Sequence, residues 1–433
     1  MHRYLDKDEL RQFSLPSTMI TNNYLNNDAS YLKEQCFKNK YLTPMHTREL
    51  ILQCNNQNIQ RQSIKLLDKI INTKRTRHAK ALIFDKIWCS KTHLELELKK
   101  NWATCLYKFD YRTKFEAIRS DRANASNLQS KLTPISHKEG FEILYYAAEN
   151  FVSKHRNVKF LISNNNLFTD DFLRLVSILF RRKGVKTVLL QHGGNYQTDA
   201  NGALVSYEKV LSDYWLGWSS SQIDSPVGIK KIYKKGKPKH ILYVPTTNWD
   251  VPLLDWSHPY GKKFEAHMEH QSHFFKNLGR KTRELIHVNA EPNDRGFNQY
   301  AYYTRYVGGS ISKGDLRERV ENSRLVISGY SGTVMFHTIA SDIPTIMYWD
   351  RDLWRWTPEY DDILDILKNA NLYFDDGHKL SSFIEREIDQ IDAWWRNSKT
   401  QVALRKFKEK FRWQSSHRNE VEQLHKWINN IDA

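Results

Sequence analysis

Two short stretches of this chain combine residue types and spacings that could do chemistry. The first is Gln191-His192-Gly193-Gly194 with Tyr196, Glu208 and Asp213 behind it. An imidazole or a carboxylate there could take the proton of an attacking hydroxyl as a general base. The second is Ser328-Gly329-Tyr330-Ser331-Gly332-Thr333, set between an apolar run and a helical pattern. A helix N-terminus presents free N–H groups and partial positive charge, and Ser331 and Thr333 add hydroxyl donors, so the turn suits a phosphate. Arg295, in HVNAEPNDRGFNQ, could fork onto a phosphate or a sugar carboxylate. Each group also has a plain structural reading: an exposed histidine in a glycine turn, a capped helix start, hydrogen-bonding carboxylates. No Asp-x-Asp pair falls at a strand end, so no metal site is expected.

Alternating strand and helix patterns would position these residues. GFEILYYAAENFVSKH reads as an amphipathic helix and VKFLIS, 158–163, as a strand; Thr169 then reads as an N-cap for DDFLRLVSILFRRK, which stops at Gly184. Val185–Leu190 is the next strand, and the intervening helix implies parallel pairing. Its two following glycines would let the backbone approach a ligand. Residues 219–240, with Pro226, Gly228 and a lysine run, read as an interdomain connection. The α/β logic then repeats through strands at 240–247, 283–289 and 344–349, around the Ser328–Thr333 turn. Helical spacing returns from Leu380 through Trp394 and Trp395, then in VALRKFKEKF; a membrane-surface helix competes with core packing for that last segment. Residues 1 to about 135 read as helical where they read at all, with Ile64, Leu67, Ile70 and Ile71 on one face and a basic cluster at Lys74, Arg75, Arg77 and Lys80.

The order His192-Gly193-Gly194-x-Tyr196, Glu208 and Gly217-Trp218 resembles the signatures of a transferase family found in bacterial O-antigen and surface-polysaccharide clusters. That family is in turn distantly similar to capsule Kdo transferases and CDP-glycerol glycerophosphotransferases. The resemblance runs from near Phe141 to Phe411, with Gln197, Leu216 and His337 departing from the usual pattern. It implies an α/β fold of glycosyltransferase-B type: two Rossmann-like domains facing a cleft, a helical N-terminal region, and C-terminal helices crossing back onto the first domain. The implied divisions are 1–228 for the acceptor domain, 238–390 for the nucleotide-sugar domain and 391–433 for the returning helices. His192, Glu208 and Asp213 become the catalytic candidates; Gly193, Gly194, Tyr196, Arg295, Tyr330, Ser331, Gly332, Thr333 and His337 become the substrate-binding candidates.

Composition narrows the class. A chain of 433 residues with 40% hydrophobic and 13% aromatic content can build two or three cores. No run reaches the roughly 18 to 20 apolar residues that cross a bilayer, and Met1-His2-Arg3 opens no signal-like apolar segment, so a cytoplasmic location is expected. The four cysteines, Cys36, Cys54, Cys89 and Cys105, lack metal or disulfide spacing. A formal net charge of +17 suits nucleic acid, the anionic face of the inner membrane, or anionic sugars alike. The reading is a glycosyltransferase with a nucleotide-sugar donor, preferentially a CMP-linked acidic sugar, a glycan or lipid-linked acceptor, no cofactor, and peripheral contact with the membrane. The alternatives are a CDP-polyol phosphotransferase and, from another class, a basic nucleic-acid-binding or non-catalytic scaffold protein. Nucleic acid is not expected, because no helix-turn-helix, zinc-finger or RNA-binding signature accompanies the charge.

Overall fold

A computed structural model describes residues 6, 79–83, 102–104, 141–164, 167, 170–196, 198–200, 204–218, 227–234, 236, 240–246, 259, 261–290, 298–307, 311, 316–411, 413–414 and 417–432. The chain divides into two compact units, Met1–His192 with Leu204–Leu216, and Gly193–Ala203 with Gly217–Ala433. Each is an α/β unit around a parallel sheet.

The first unit carries five strands: β1 Ala81–Ile83, β2 Trp102–Thr104, β3 Phe160–Ser163, β4 Lys186–Leu190 and β5 Tyr214–Leu216, paired in parallel in the order β2-β1-β3-β4-β5. The segment read as helical thus contributes two strands in its described part. Ala81, Leu82 and Ile83 are wholly buried, as a strand covered on both faces requires. The helix expected around Ile64, Leu67, Ile70 and Ile71 lies outside the described residues, as do Lys74, Arg75 and Arg77. Helix α1, Phe141–Lys154, buries Phe141, Leu144, Ala148, Phe151 and Val152, and α2, Asp171–Arg181, follows β3. The cap of α2 is Asp170 rather than Thr169. Its carboxylate accepts from Phe172 N at 2.9 Å and Leu173 N at 3.2 Å, placing negative charge on the positive helix end. Gly184, at φ 79°, makes the left-handed turn into β4. Helix α3, Leu204–Leu211, leads into β5.

The second unit repeats the plan. Strands β6, Ile229–Lys230, and β12, Trp413–Gln414, form a two-stranded parallel ribbon. The main sheet contains β7 His240–Val244, β8 Ile286–Val288, β9 Ser323–Ser328, β10 Thr345–Tyr348 and β11 Tyr373–Phe374, in the order β11-β10-β9-β7-β8. Counted along its own chain, this sheet has the same order as the first: second, first, third, fourth, fifth. Part of the expected interdomain connection is therefore ordered structure, with β6 paired and Tyr233 buried against Leu242, Val326 and Val334. The helices are α4 Lys262–Lys276, α5 Arg280–Leu285, α6 Gln299–Thr304, α7 Leu316–Glu321, α8 Thr333–Ala340, α9 Pro358–Asn369, α10 Gly377–Glu387, α11 Ile391–Arg396, α12 Ser398–Lys410 and α13 His417–Asp432. The strand read at 283–289 starts at Ile286, because α5 occupies the residues before it.

Aromatic side chains weld the end of the chain to this unit. Phe407 of α12 and Phe411 pack against Phe336 of α8 at 5.5 and 4.8 Å, the second edge-on, and Phe411 stacks on Tyr360 of α9 at 5.1 Å. The apolar face of α12 is thereby spent on protein, which rules out the membrane-surface reading of that face. Trp395 and Arg396 both donate to the Asp342 carboxylate, at 2.9 and 2.7 Å. Among the described residues no helix is long and apolar enough to cross a membrane. Phe336→Ala should cost about 3–5 kcal/mol, because one fully buried ring supports α8, α12 and Phe411 at once. Urea unfolding followed by tryptophan fluorescence measures it.

Candidate functional site

In the second unit the informative turn starts where β9 ends. Ser328 donates its hydroxyl to Tyr330 O at 2.9 Å and Gly329 donates its N–H to Val244 O at 2.9 Å, which ties the turn to the carboxyl end of β7. A side chain at position 329 would lie 2.4 Å from Tyr243 OH, so glycine is required there. Strands β7 and β9 are neighbours whose connections leave in opposite directions, the switch point at which open parallel sheets bind ligands.

Helix α8 begins immediately after. Its N-cap is Gly332, which supplies no side-chain hydrogen bond to the first turn, and Tyr330 lies against that glycine, where a Cβ would come within 2.1 Å of the ring. The two flanking hydroxyls are already acceptors. Ser331 Oγ receives the indole N–H of Trp356 at 2.8 Å, and Thr333 Oγ1 receives the backbone N–H of Gly194 at 3.1 Å. Neither hydroxyl donates to any acceptor among the described residues. Two protons thus flank an uncapped, positively polarised helix end.

The His-Gly-Gly turn has a different use from the one expected. Gly193 and Gly194 allow close approach to α8 itself: a Cβ on Gly193 would stand 3.3 Å from Thr333 Oγ1, and one on Gly194 would stand 2.1 Å from the Phe336 ring. Further along, Asp199 pairs antiparallel with Trp356, flanked by Ala200 N to Arg355 O at 2.9 Å and Thr357 N to Thr198 O at 2.7 Å. Tyr196 is buried in this segment. His337, one turn into α8, is half-buried with its ring 5.6 Å from that of Trp218. Gly193, Gly194, Tyr196, Tyr330, Ser331, Gly332, Thr333 and His337 therefore all belong to one unit. Arg295 and Gln197 lie outside the described residues. Sequence reasoning passed over Trp356; its only signal was the Trp354-Arg355-Trp356-Thr357-Pro358 run ahead of a helix.

The first unit holds the three proposed catalytic groups, and two of them are structural. Glu208 is 1% exposed, and its Oε2 accepts the Trp215 indole N–H at 2.7 Å, fastening α3 to β5. Asp213 accepts from Thr187 N at 2.8 Å and lies 3.9 Å from both Arg181 Nε and Lys186 Nζ. Thr187 lies at the start of β4 and His192 follows its far end, so Asp213 and His192 stand about 16 Å apart along the strand. Against the expectation that Glu208 or Asp213 acts as base, Glu208 is buried on the Trp215 indole, and Asp213, although exposed, is held by Thr187 N between Arg181 and Lys186. His192 is half-buried beyond the carboxyl end of β4, and burial pushes its imidazole down to about 4, so it is neutral at pH 7. Among the described residues no group of three or more His, Cys, Asp or Glu is placed to hold a metal.

Two outcomes follow. Gly194→Ala should cost about 1–3 kcal/mol in a thermal or urea melt, since the buried Phe336 ring has nowhere to retreat. His192 should titrate near 4 by NMR. Because its unfolded counterpart binds a proton from about pH 6.5 downward while the native ring does not, its contribution is full above pH 6.5. It is then lost between pH 6.5 and 4 at up to about 1.4 kcal/mol per pH unit, a slope that His192→Gln should remove.

The sequence profile described as LIC12162 family transferase matches residues 7–428. No individually curated protein matches the sequence. Solved structures resembling the chain include an α,α-trehalose-phosphate synthase (UDP-forming) from Burkholderia vietnamiensis, at 9% identity and a TM-score of 0.44 over 82% of this chain and 98% of that one. Arabidopsis thaliana UGT89C1 complexed with UDP-L-rhamnose aligns at 11% identity and a TM-score of 0.40, over 81% of this chain and 99% of that one. The glycosyltransferase SnogD from Streptomyces nogalater aligns at 12% identity and a TM-score of 0.34, over 82% and 99%. On the profile that spans nearly its whole length, the chain belongs to the LIC12162 family of transferases.

Proposed function

We propose that this transferase moves a sugar from a nucleotide-activated donor to a glycan or lipid-linked acceptor in the assembly of a bacterial surface polysaccharide, with a domain plan of glycosyltransferase-B type. The observation that carries the reading is the start of α8. Ser331 and Thr333 each have a lone pair engaged, by Trp356 and Gly194, and a proton that bonds no acceptor among the described residues, beside an uncapped helix N-terminus at the carboxyl end of β9. Such an array accepts an anion with several oxygens. When the bond to an activated sugar breaks, negative charge grows on the departing nucleotide phosphate, and fixed donors aimed there stabilise it without reorganising.

The second unit accordingly holds the donor and the first the acceptor. With Glu208 and Asp213 committed to the frame, His192 is the group assigned to the acceptor hydroxyl; it is neutral, and it follows a strand end, where parallel sheets present their functional loops. A nucleotide leaving group whose charge is met by hydroxyl and N–H donors requires no metal in this scheme. The formal net charge of +17 supports a CMP-linked acidic sugar as donor and work at the cytoplasmic face of an anionic membrane.

A thermal-shift panel of CMP, CDP, UDP, GDP and ADP tests this. A cytidine nucleotide at a hundred times its Kd should add about 2.7 kcal/mol, and Ser331→Ala/Thr333→Ala should abolish the shift. Preference for UDP, GDP or ADP would keep the transferase and discard the cytidine donor. Stabilisation by CDP but not CMP would favour transfer of a polyol phosphate. No response from folded protein would overturn the nucleotide-sugar reading.

A further inference from the structure

Trp356 sits where three features of the second unit meet. Its ring packs between Trp349, at 6.1 Å, and Phe411, at 6.4 Å. Its backbone pairs with Asp199. Its indole N–H ends on Ser331 Oγ at 2.8 Å. From these contacts we infer that Trp356 is the positioning residue of the phosphate-binding turn, fixing the direction in which Ser331 donates. The inference rests on the function proposed above, which it deepens.

The argument is one of hydrogen-bond capacity. A serine hydroxyl has one proton and two lone pairs, and its proton rotates to whichever acceptor is offered. At Ser331, which is 3% exposed, water offers little. Once the indole N–H is fixed on a lone pair, the proton cannot point back along that line and is confined to the remaining directions around Oγ. The indole is held rigidly by the two flanking rings, so the restriction persists without a ligand. The strand-like pairing of residues 198–200 with 355–357 bears on the second hydroxyl too, because shortly before the paired residues the same stretch passes Gly194, whose N–H occupies Thr333 Oγ1. One short stretch thus presets both hydroxyls as donors.

A buried indole also needs a partner for its N–H whatever its function, so the test separates positioning from packing. Binding of CMP, CDP, UDP, GDP and ADP is measured by calorimetry on the full-length wild type, Ser331→Ala, Trp356→Phe and the double variant. Trp356 is also replaced by 3-benzothienylalanine, which keeps the bicyclic shape and deletes only the N–H, and which serves where Trp356→Phe fails to fold. Ser331→Ala should weaken the best-bound nucleotide by about tenfold or more, and either Trp356 replacement by about three- to tenfold. In the Ser331→Ala background the Trp356 replacement should weaken binding no further, since its effect passes through that hydroxyl. Effects that multiply would make Trp356 a packing residue and overturn the proposal. Wild-type affinity in the benzothienylalanine variant, with Ser331→Ala impaired, would overturn it while leaving the donor site standing. Wild-type affinity in Ser331→Ala would remove the phosphate site and this inference with it.

Discussion

The backbone at Gly194 lies directly against the side chains of Thr333 and Phe336 on α8, and the start of that helix depends on the contact. Only a residue without a Cβ lets the chain pass so close to Phe336 that the Gly194 N–H reaches Thr333 Oγ1. The contact fixes one hydroxyl, and it sets the start of the segment that pairs with residues 355–357 and so meets Trp356, which fixes the other. Phe336 is itself held by Phe407 and Phe411. The last helices of the chain are thus part of what keeps the first turn of α8 in place, and a change far along the sequence would be felt at Ser331 through packing.

Both sheets share one strand order, and the shared plan sorts the polar residues by task. Parallel strands need crossover helices, and loops gather at the carboxyl ends, where the order reverses. In the second unit those ends carry glycine, hydroxyls and helix N–H groups. In the first they lead to a neutral imidazole. The carboxylates sit elsewhere: Glu208 is buried under Trp215, Asp213 is at the opposite end of β4 from His192, and Asp342 is locked to Trp395 and Arg396. Each meets a specific donor, which is what makes burying or half-burying a carboxylate tolerable.

Much of this plan was legible in sequence because it follows from local rules. The runs at 158–163, 185–190, 240–247 and 344–349 are apolar and short, and each contains an observed strand. The Ser328–Thr333 turn was marked by its own glycines and hydroxyls between a strand and a helix. What failed needed tertiary information. Glu208 and Asp213 looked catalytic because composition shows a carboxylate but not its partner, and Trp215 and Thr187 lie 7 and 26 residues away. The glycines at 193 and 194 correctly announced a close approach, yet only the fold shows that α8, 139 residues on, is what approaches. Trp356 was passed over for the same reason, since its partner Ser331 lies 25 residues back.

The donors at the start of α8 are neutral, although the chain as a whole carries +17. A lysine there would bind any phosphate strongly, in substrate and product alike, and uniform binding of that kind lowers KM without speeding the chemical step. Hydroxyls and helix N–H groups act differently. They attract an anion weakly at a distance, but in contact their benefit depends on where each proton points, and it grows as charge develops on the oxygen they face. Under the proposed function, an array of this sort would favour the breaking bond over the intact donor and would let the spent nucleotide leave. Its strength would then lie in preset direction, and at Ser331 that direction is set by an indole held between Trp349 and Phe411.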